Sequence, residues 1–192
     1  EITILDFSFE FPTHTIGAVF LNRQKSLVSV GLSCNFEVQT AAERAIFEAY
    51  KIYMSLDQTE HKNVPATDLG DVSSIFRKNK RFWLEKKPLS KINFLFNGEN
   101  IDINTYAHQA ELSIQKKIES LLYRFKKNRY KLFVKRFTGK NCSVYVTKII
   151  APELIPLPLL PEIPYKKTPR IQAFLQNTKK PYIPVSVPPP FY

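Results

Sequence analysis

The sequence is poor in glycine, with only five glycines among 192 residues, and these five are scattered along the chain. Phosphate-binding loops of the Walker type and dinucleotide-binding fingerprints both need several glycines within a few positions of one another. No stretch of this chain has that density. The sequence therefore excludes both kinds of glycine-rich nucleotide site.

Cysteine and histidine are also scarce. We interpret the two cysteines, Cys34 and Cys142, as reduced thiols. The three histidines are His14, His61 and His108. They have no metal-ligand spacing among themselves or with the cysteines. Neither a metal centre of His and Cys nor a Ser/His/Asp or Cys/His triad can be proposed from this chain.

Long apolar segments are missing as well. The chain has neither a secretory signal peptide nor an apolar run of membrane-spanning length. We therefore expect a soluble, cytoplasmic protein without a membrane partner. The first residue is Glu1 rather than Met, and a strand pattern begins at Ile2. This start predicts a piece of a longer protein or a processed product.

What the chain has is a globular composition with a strong positive charge. Hydrophobic residues make up 44% of it, and the net charge is +11. Such a charge indicates an acidic partner, for which nucleic acid is one candidate. The basic and aromatic stretch Phe76–Lys87 would then stack bases on Phe82 and Trp83. Alternatively, these aromatics dock on a core, and the positive charge serves ATP, an acidic peptide or no partner at all.

The hydrophobic periodicity predicts an α+β fold. Strands alternate over residues 1–31, with Gly31 ending the last of them. A capping box of Thr40 and Glu43 opens a helix that continues to Leu56. Residues 57–104 show no strong period and are predicted to be a variable, irregular insert. A second helix is predicted from Thr105 to Lys127 and a hairpin from 130 to 150.

The last 42 residues differ in composition from the rest. Eleven of the 14 prolines lie in residues 151–192, so we expect an extended tail without regular helix. The predicted architecture is an antiparallel or mixed sheet with two long helices packed on it, followed by this tail. The domain would comprise residues 1–150 and the tail residues 151–192.

The first predicted helix carries a polar face whose charged side chains could bind a ligand. Arg44, Glu48 and Lys51 share that face at spacings of four and three residues. The commonest use of such a face is a solvated ladder of ion pairs. The functional interpretation is a nucleotide-binding helix, in which a carboxylate holds Mg²⁺ and a cation meets phosphate.

Several of these features together resemble the YcaO family. The segment Gly31-Leu32-Ser33 and the following helix, with Ala41, Arg44, Ala45 and Glu48, are similar to the family's strand, small-residue turn and helix of the form A-x-x-R-A-x-x-E-x-x-Q. The strand 144–150 followed by Ala151-Pro152 is similar to the strand that leads into the family's V-x-P-G-type turn. The end Pro188-Pro189-Pro190-Phe191-Tyr192 resembles the proline-rich terminus of the azoline-forming branch. The chain would be the C-terminal half of a YcaO domain, and Lys51 replaces the family's Gln.

The resemblance implies an ATP- and Mg²⁺-dependent cyclodehydratase of the kind found in synthetases of microcin-type peptides. Such enzymes turn Cys, Ser or Thr of a ribosomal precursor peptide into thiazoline or oxazoline by phosphorylating the amide oxygen. Carried over by position, Arg44, Glu48 and Lys51 would bind ATP, and Glu48 would also bind Mg²⁺. The tail, through Pro188 and Pro190, would place the C-terminal carboxylate of Tyr192 in the active site.

The same resemblance implies partners. They are the precursor peptide, an N-terminal YcaO half, an E1-like leader-binding subunit and, for azole products, a flavin-dependent azoline dehydrogenase. Two alternatives remain open on the sequence alone. One is a non-catalytic YcaO-like scaffold that binds leader peptide or a partner subunit, which Lys51 in place of Gln favours. The other is a basic nucleic-acid-binding protein.

Overall fold

The computed structural model describes residues 1–60, 92–96, 102, 106, 112–138, 145–154 and 169–178. The chain divides into two compact units, one containing Glu1–Ser113 and the other Ile114–Pro184. Each unit is described by itself. The basic stretch 76–87 and the chain end at Pro188, Pro190 and Tyr192 lie outside the described residues.

The first unit contains a three-stranded antiparallel sheet. Its strands are β1 (Ile2–Asp6), β2 (His14–Asn22) and β3 (Leu27–Asn35), in the order β1-β2-β3. A tight turn joins β2 to β3, where the Asn22 side chain accepts a hydrogen bond from the Lys25 N–H at 3.1 Å. The predicted end of the strand at Gly31 is wrong, because β3 continues for four more residues.

Helix α1 (Val38–Glu60) packs on β2 and β3. The helix begins two residues before Thr40, so the predicted capping box of Thr40 and Glu43 is wrong. Instead, the Glu37 carbonyl accepts the first backbone hydrogen bond, from Ala41 N–H at 3.0 Å. The Thr40 hydroxyl meets the Glu37 carboxylate at 3.4 Å, and Glu43 accepts a bond from Gln39 at 2.9 Å. The apolar face of the helix is buried at Ala42, Ala45, Ala49 and Leu56.

Both faces of this sheet are covered where β2 and β3 run. On one face, small and apolar residues of α1 meet β2, in a cluster of Ile16, Ala18, Ala41, Ala42, Ala45 and Ala49. On the other, Ile92 packs against Val19, Leu21, Val28 and Val30. Ile92, in the predicted insert, is only 2% exposed. Part of the insert therefore returns to the core, next to a short 3-10 helix at Asn93–Phe96.

The second unit has two helices and a hairpin among its described residues. They are α2 (Ile114–Lys127), β4 (Phe133–Thr138), β5 (Tyr145–Ile150) and α3 (Pro169–Thr178). Strands β4 and β5 pair antiparallel as a separate sheet. The α+β class with antiparallel sheets is confirmed, with the strands divided between two sheets.

Two expectations about the helices are corrected. The second long helix begins at Ile114 rather than Thr105, and Leu112 and Ser113 before it are not helical. Serine is a preferred residue just before a helix, which accounts for a start at this point. Helix α3 lies in the segment predicted to contain none. Its only proline is Pro169 at the first helical position, where proline is tolerated because its missing N–H would have no partner there.

Among the described residues, no helix is both long enough and apolar enough to cross a membrane.

Candidate functional site

The candidate site lies on α1, and its position is set by an unusually close approach of this helix to β3. Gly31 faces the helix backbone, and a Cβ atom at this position would collide with the Ala45 carbonyl oxygen and the Ala49 nitrogen. Only a residue without a side chain fits there. Gly31 therefore marks a helix–strand contact, not the turn that the sequence predicted.

A buried hydrogen bond fixes the same contact. The Ser29 hydroxyl, which is fully buried, donates to the Ala49 carbonyl at 2.7 Å. A buried hydroxyl without a partner would be costly, and here the helix backbone supplies the partner. Ser29 and Gly31 thus hold the stretch of α1 from Ala45 to Ala49, which includes Glu48.

The predicted polar face is present on α1, with Glu48 in this stretch and Arg44 and Lys51 next to it. The Lys51 ammonium donates to the Glu48 carboxylate at 3.2 Å, with the two side chains 58% and 37% exposed. Lys51 also lies 5.8 Å from the centre of the Phe47 ring. Arg44, one turn before Glu48, is exposed, and no ion pair to it occurs within the part of the chain that is described. The structure therefore brings Glu48 and Lys51 together and leaves Arg44 directed to solvent.

The chemistry of this face fits one part of a nucleotide site. Mg²⁺ in ATP-using enzymes is commonly held by one or two carboxylates together with phosphate oxygens. Glu48 could supply one such carboxylate, and Arg44 and Lys51 could meet phosphate. Among the described residues, no group of three or more His, Cys, Asp or Glu side chains could hold a metal ion. A complete Mg²⁺ site would need further ligands.

A second polar cluster, which the sequence analysis missed, lies at the end of β1. The Asp6 carboxylate accepts hydrogen bonds from the Ser8 N–H at 2.7 Å and from the Tyr106 hydroxyl. His14 meets the Tyr106 ring edge-on, with ring centroids 5.2 Å apart. The two partners of the Asp6–Tyr106 bond are 100 residues apart, so no local sequence pattern could have revealed it.

These contacts shift the pKa values of both partners. Partial burial alone would raise the pKa of Asp6, but the hydrogen bonds from Ser8 and Tyr106 outweigh it, and the net shift of the pKa is downward. Burial and the adjacent Asp6 carboxylate raise the pKa of Tyr106 to about 12. The carboxylate and the neutral phenol are therefore the forms that this cluster stabilises.

Comparison with known proteins identifies the family. A family model described as YcaO cyclodehydratase, ATP- and Mg²⁺-binding, matches residues 1–155. The match extends over most of the chain, and it includes both α1 with its polar face and the β4–β5 hairpin. The chain belongs to the YcaO family.

The fold has a counterpart among solved structures. A protein described as a heterocyclase in complex with substrate and cofactor is similar over 86% of this chain, with a TM-score of 0.60 and 16% sequence identity. This chain covers 22% of that chain. It thus spans about a fifth of the length of its structural neighbour, and the likeness concerns the fold. No curated protein sequence matches the chain.

Proposed function

We propose that this chain contributes the α1 polar face to the ATP site of a YcaO-type peptide cyclodehydratase. The observation that carries the proposal is the position of Arg44 and Glu48. Both are on an accessible face of the one helix that Gly31 and Ser29 hold tightly against the sheet. A rigid support under a charged face is what a binding site needs, because it lowers the cost of ordering the side chains.

In this proposal a Cys, Ser or Thr side chain of a precursor peptide attacks the preceding peptide carbonyl. The former carbonyl oxygen then accepts a phosphoryl group from ATP and departs as inorganic phosphate. The C=N bond forms as the amide nitrogen loses its proton, so the peptide loses one water for each thiazoline or oxazoline ring. Phosphorylation is needed because the amide oxygen is otherwise a poor leaving group.

The roles proposed for this chain's residues follow from their charges. Glu48 would hold Mg²⁺, which neutralises phosphate charge when it is bound. Arg44 would bind a phosphate oxygen with its guanidinium group. Lys51, which now pairs with Glu48, would turn to phosphate when Glu48 takes up the cation. Further ligands would come from the rest of the YcaO domain, an N-terminal half on the same or another polypeptide.

The chain end is a further part of the proposal, carried by the family resemblance. Tyr192, presented by Pro188 and Pro190, would accept the proton of the attacking nucleophile with its terminal carboxylate. A stiff proline segment would deliver that group at a small cost in ordering entropy. A chain lacking Phe191 and Tyr192 is then expected to make rings far more slowly than the full chain. Equal rates would remove Tyr192 from the site.

A second candidate function is a non-catalytic scaffold that binds leader peptide or a partner subunit. The specific observation in its favour is the Lys51–Glu48 ion pair, which occupies the carboxylate proposed for Mg²⁺. The cyclodehydratase proposed first would instead have an E1-like leader-binding subunit and a flavin-dependent azoline dehydrogenase as partners.

One reconstitution separates the two functions. The chain is combined with the N-terminal YcaO half, the leader-binding subunit and a precursor peptide, and the peptide mass is followed with and without ATP and Mg²⁺. The proposal expects loss of one water per ring only when the chain, ATP and Mg²⁺ are all present. Peptide binding without any loss of water would favour the scaffold. Steeply salt-dependent binding to any DNA, without ring formation, would favour a nucleic-acid-binding protein.

A further inference from the structure

The β4–β5 hairpin places two lysines directly opposite each other. Lys135 and Lys148 are paired residues in its register. An apolar pair stands two residues away on each side, Phe133 with Ile150 and Phe137 with Val146. Because side chains alternate along a strand, all six lie on the same side of the hairpin. We call this side the lysine face, and its residues are Phe133, Lys135, Phe137, Val146, Lys148 and Ile150.

The charges on the lysine face are unfavourable for the hairpin alone. Directly opposed side chains in an antiparallel pair have Cβ atoms about 5 Å apart, where like charges destabilise the pairing. Within the described residues, neither Lys135 nor Lys148 makes an ion pair with a carboxylate. Both side chains are exposed. The two charges therefore form a concentrated positive site that a carboxylate would neutralise.

The apolar pairs on the lysine face are exposed as well. Phe133 and Val146 are each 55% exposed, and Phe137 and Ile150 each 48%. A two-stranded hairpin is only marginally stable by itself, and such apolar side chains are normally covered. The face thus presents a row of apolar, cationic and apolar sites, each two residues from the next along the strands.

We propose that the lysine face is a docking surface for an acidic peptide segment in extended conformation. An extended chain advances about 3.3 Å per residue and turns every second side chain to the same side. A segment with apolar residues two positions before and two positions after a carboxylate therefore matches the spacing of the face. The carboxylate would lie between Lys135 and Lys148, and the apolar residues would cover the flanking pairs. This inference does not depend on the proposed function.

The test is fluorescence anisotropy of a labelled synthetic peptide with the repeated order Leu-Ser-Glu-Ser-Leu, titrated with the 192-residue chain. A peptide of the same composition, with Glu moved next to Leu, tests the spacing. The charge-reversed variant K135E/K148E is compared with K126E/K127E, which changes the same charge on exposed residues of α2. The variant F133A/F137A removes apolar contacts without changing charge.

The proposal expects a loss of affinity of at least about 10-fold for K135E/K148E and for F133A/F137A, but less than about 3-fold for K126E/K127E. The rearranged peptide should bind more weakly than the spaced one. Equal loss in both charge variants would show that binding follows net charge alone and would overturn the proposal. Absence of peptide binding would also overturn the proposal. The same holds if K135E/K148E binds single-stranded DNA more weakly but binds the peptide as before.

A single substitution tests whether a loss of binding in the double variants comes from misfolding. Lys135→Glu replaces a like-charge pair with an opposite pair, so the hairpin should be at least as stable as before. It should nevertheless bind the spaced peptide several-fold more weakly. Unchanged or stronger peptide binding by this variant would contradict the proposal.

Discussion

The two compact units differ in how far their apolar side chains are buried. In the first, 14 apolar residues of the described part are less than one-tenth exposed, and they sit on both faces of the β1–β3 sheet. In the second, none of the described residues is buried, although α2, β4 and β5 carry many large apolar side chains. The described part of the first unit holds its own core and the candidate site. The described elements of the second bury little among themselves, so their apolar side chains are available for contact.

The largest expected effect concerns the helix–strand contact at Gly31. Gly31→Ala would force α1 away from β3, because the new Cβ overlaps backbone atoms that cannot move independently. We expect a loss of about 3 kcal/mol or more in the free energy of unfolding, measured by urea denaturation.

Gly17→Ala is its matched control in the neighbouring strand β2. There the added Cβ would meet only side-chain atoms, those of Phe7 and Leu32, which are 43% and 38% exposed and can turn aside. The cost should be below about 1 kcal/mol. Similar losses for both glycines would show that the close approach of α1 is not what selects Gly31.

The contrast between the two units can be tested by truncating one leucine in each. Leu56 on α1 is 1% exposed, and Leu122 on α2 is 51% exposed. Leu56→Ala should lower the free energy of unfolding by about 3 kcal/mol through lost burial and a cavity. Leu122→Ala should cost less than about 1 kcal/mol. If Leu122→Ala were as costly as Leu56→Ala, the side chain of Leu122 would be part of a core.

A smaller effect is expected at Ser29. Ser29→Ala removes the buried hydrogen bond to the Ala49 carbonyl, and we expect a loss of about 1 kcal/mol by urea denaturation. Ser33, on the same strand but only partly buried, provides the control, and Ser33→Ala should change stability by less than about 0.5 kcal/mol. No difference between the two variants would mean that the Ser29 bond does not hold the helix.

The smallest effect concerns the Asp6–Tyr106 pair and depends on pH. Because the pKa of Asp6 is lowered on folding, its stabilisation is present above the unfolded pKa and is lost as the pH falls through the folded value. Because the pKa of Tyr106 is raised to about 12, its stabilisation is present below the ordinary tyrosine pKa and is lost as the pH rises toward 12.

Tyr106→Phe should therefore cost about 1 kcal/mol or less at neutral pH and flatten the fall in stability below about pH 4 and above about pH 10. Urea denaturation across this range measures both effects. Tyr123→Phe, on an exposed tyrosine of α2, is the control and should leave the profile unchanged. An unchanged profile in Tyr106→Phe would show that the hydrogen bond is absent in solution.

The sequence alone was sufficient to predict the features that depend on a local pattern. The period of the apolar residues predicted α1, and the spacing of Arg44, Glu48 and Lys51 predicted a shared face. The role of Gly31 could not be predicted, since a glycine needed for a close approach looks the same in sequence as one needed for a turn. The proline count predicted an extended tail, yet it hid a segment after Pro169 that has no proline until Pro181 and forms a helix.

Contacts over long distances in sequence were beyond such patterns. Ser29 with Ala49 and Asp6 with Tyr106 join residues 20 and 100 positions apart, and neither pair belongs to a repeating motif. Of the candidate site, the sequence predicted the residues on one helix. It could not predict the helix–strand contact at Ser29 and Gly31 that supports these residues.

The central claim, that α1 presents Glu48 to the nucleotide site, is tested most directly by comparing Glu48→Gln with Glu43→Gln. Both variants lose one negative charge from the same helix, but Glu43 lies on a different face and pairs with Gln39. The readout is the rate of water loss from the precursor peptide in the reconstituted enzyme. We expect Glu48→Gln to slow it by at least about 100-fold and Glu43→Gln to leave it within about 3-fold of the unmodified chain. Ring formation at the normal rate by Glu48→Gln would contradict the account.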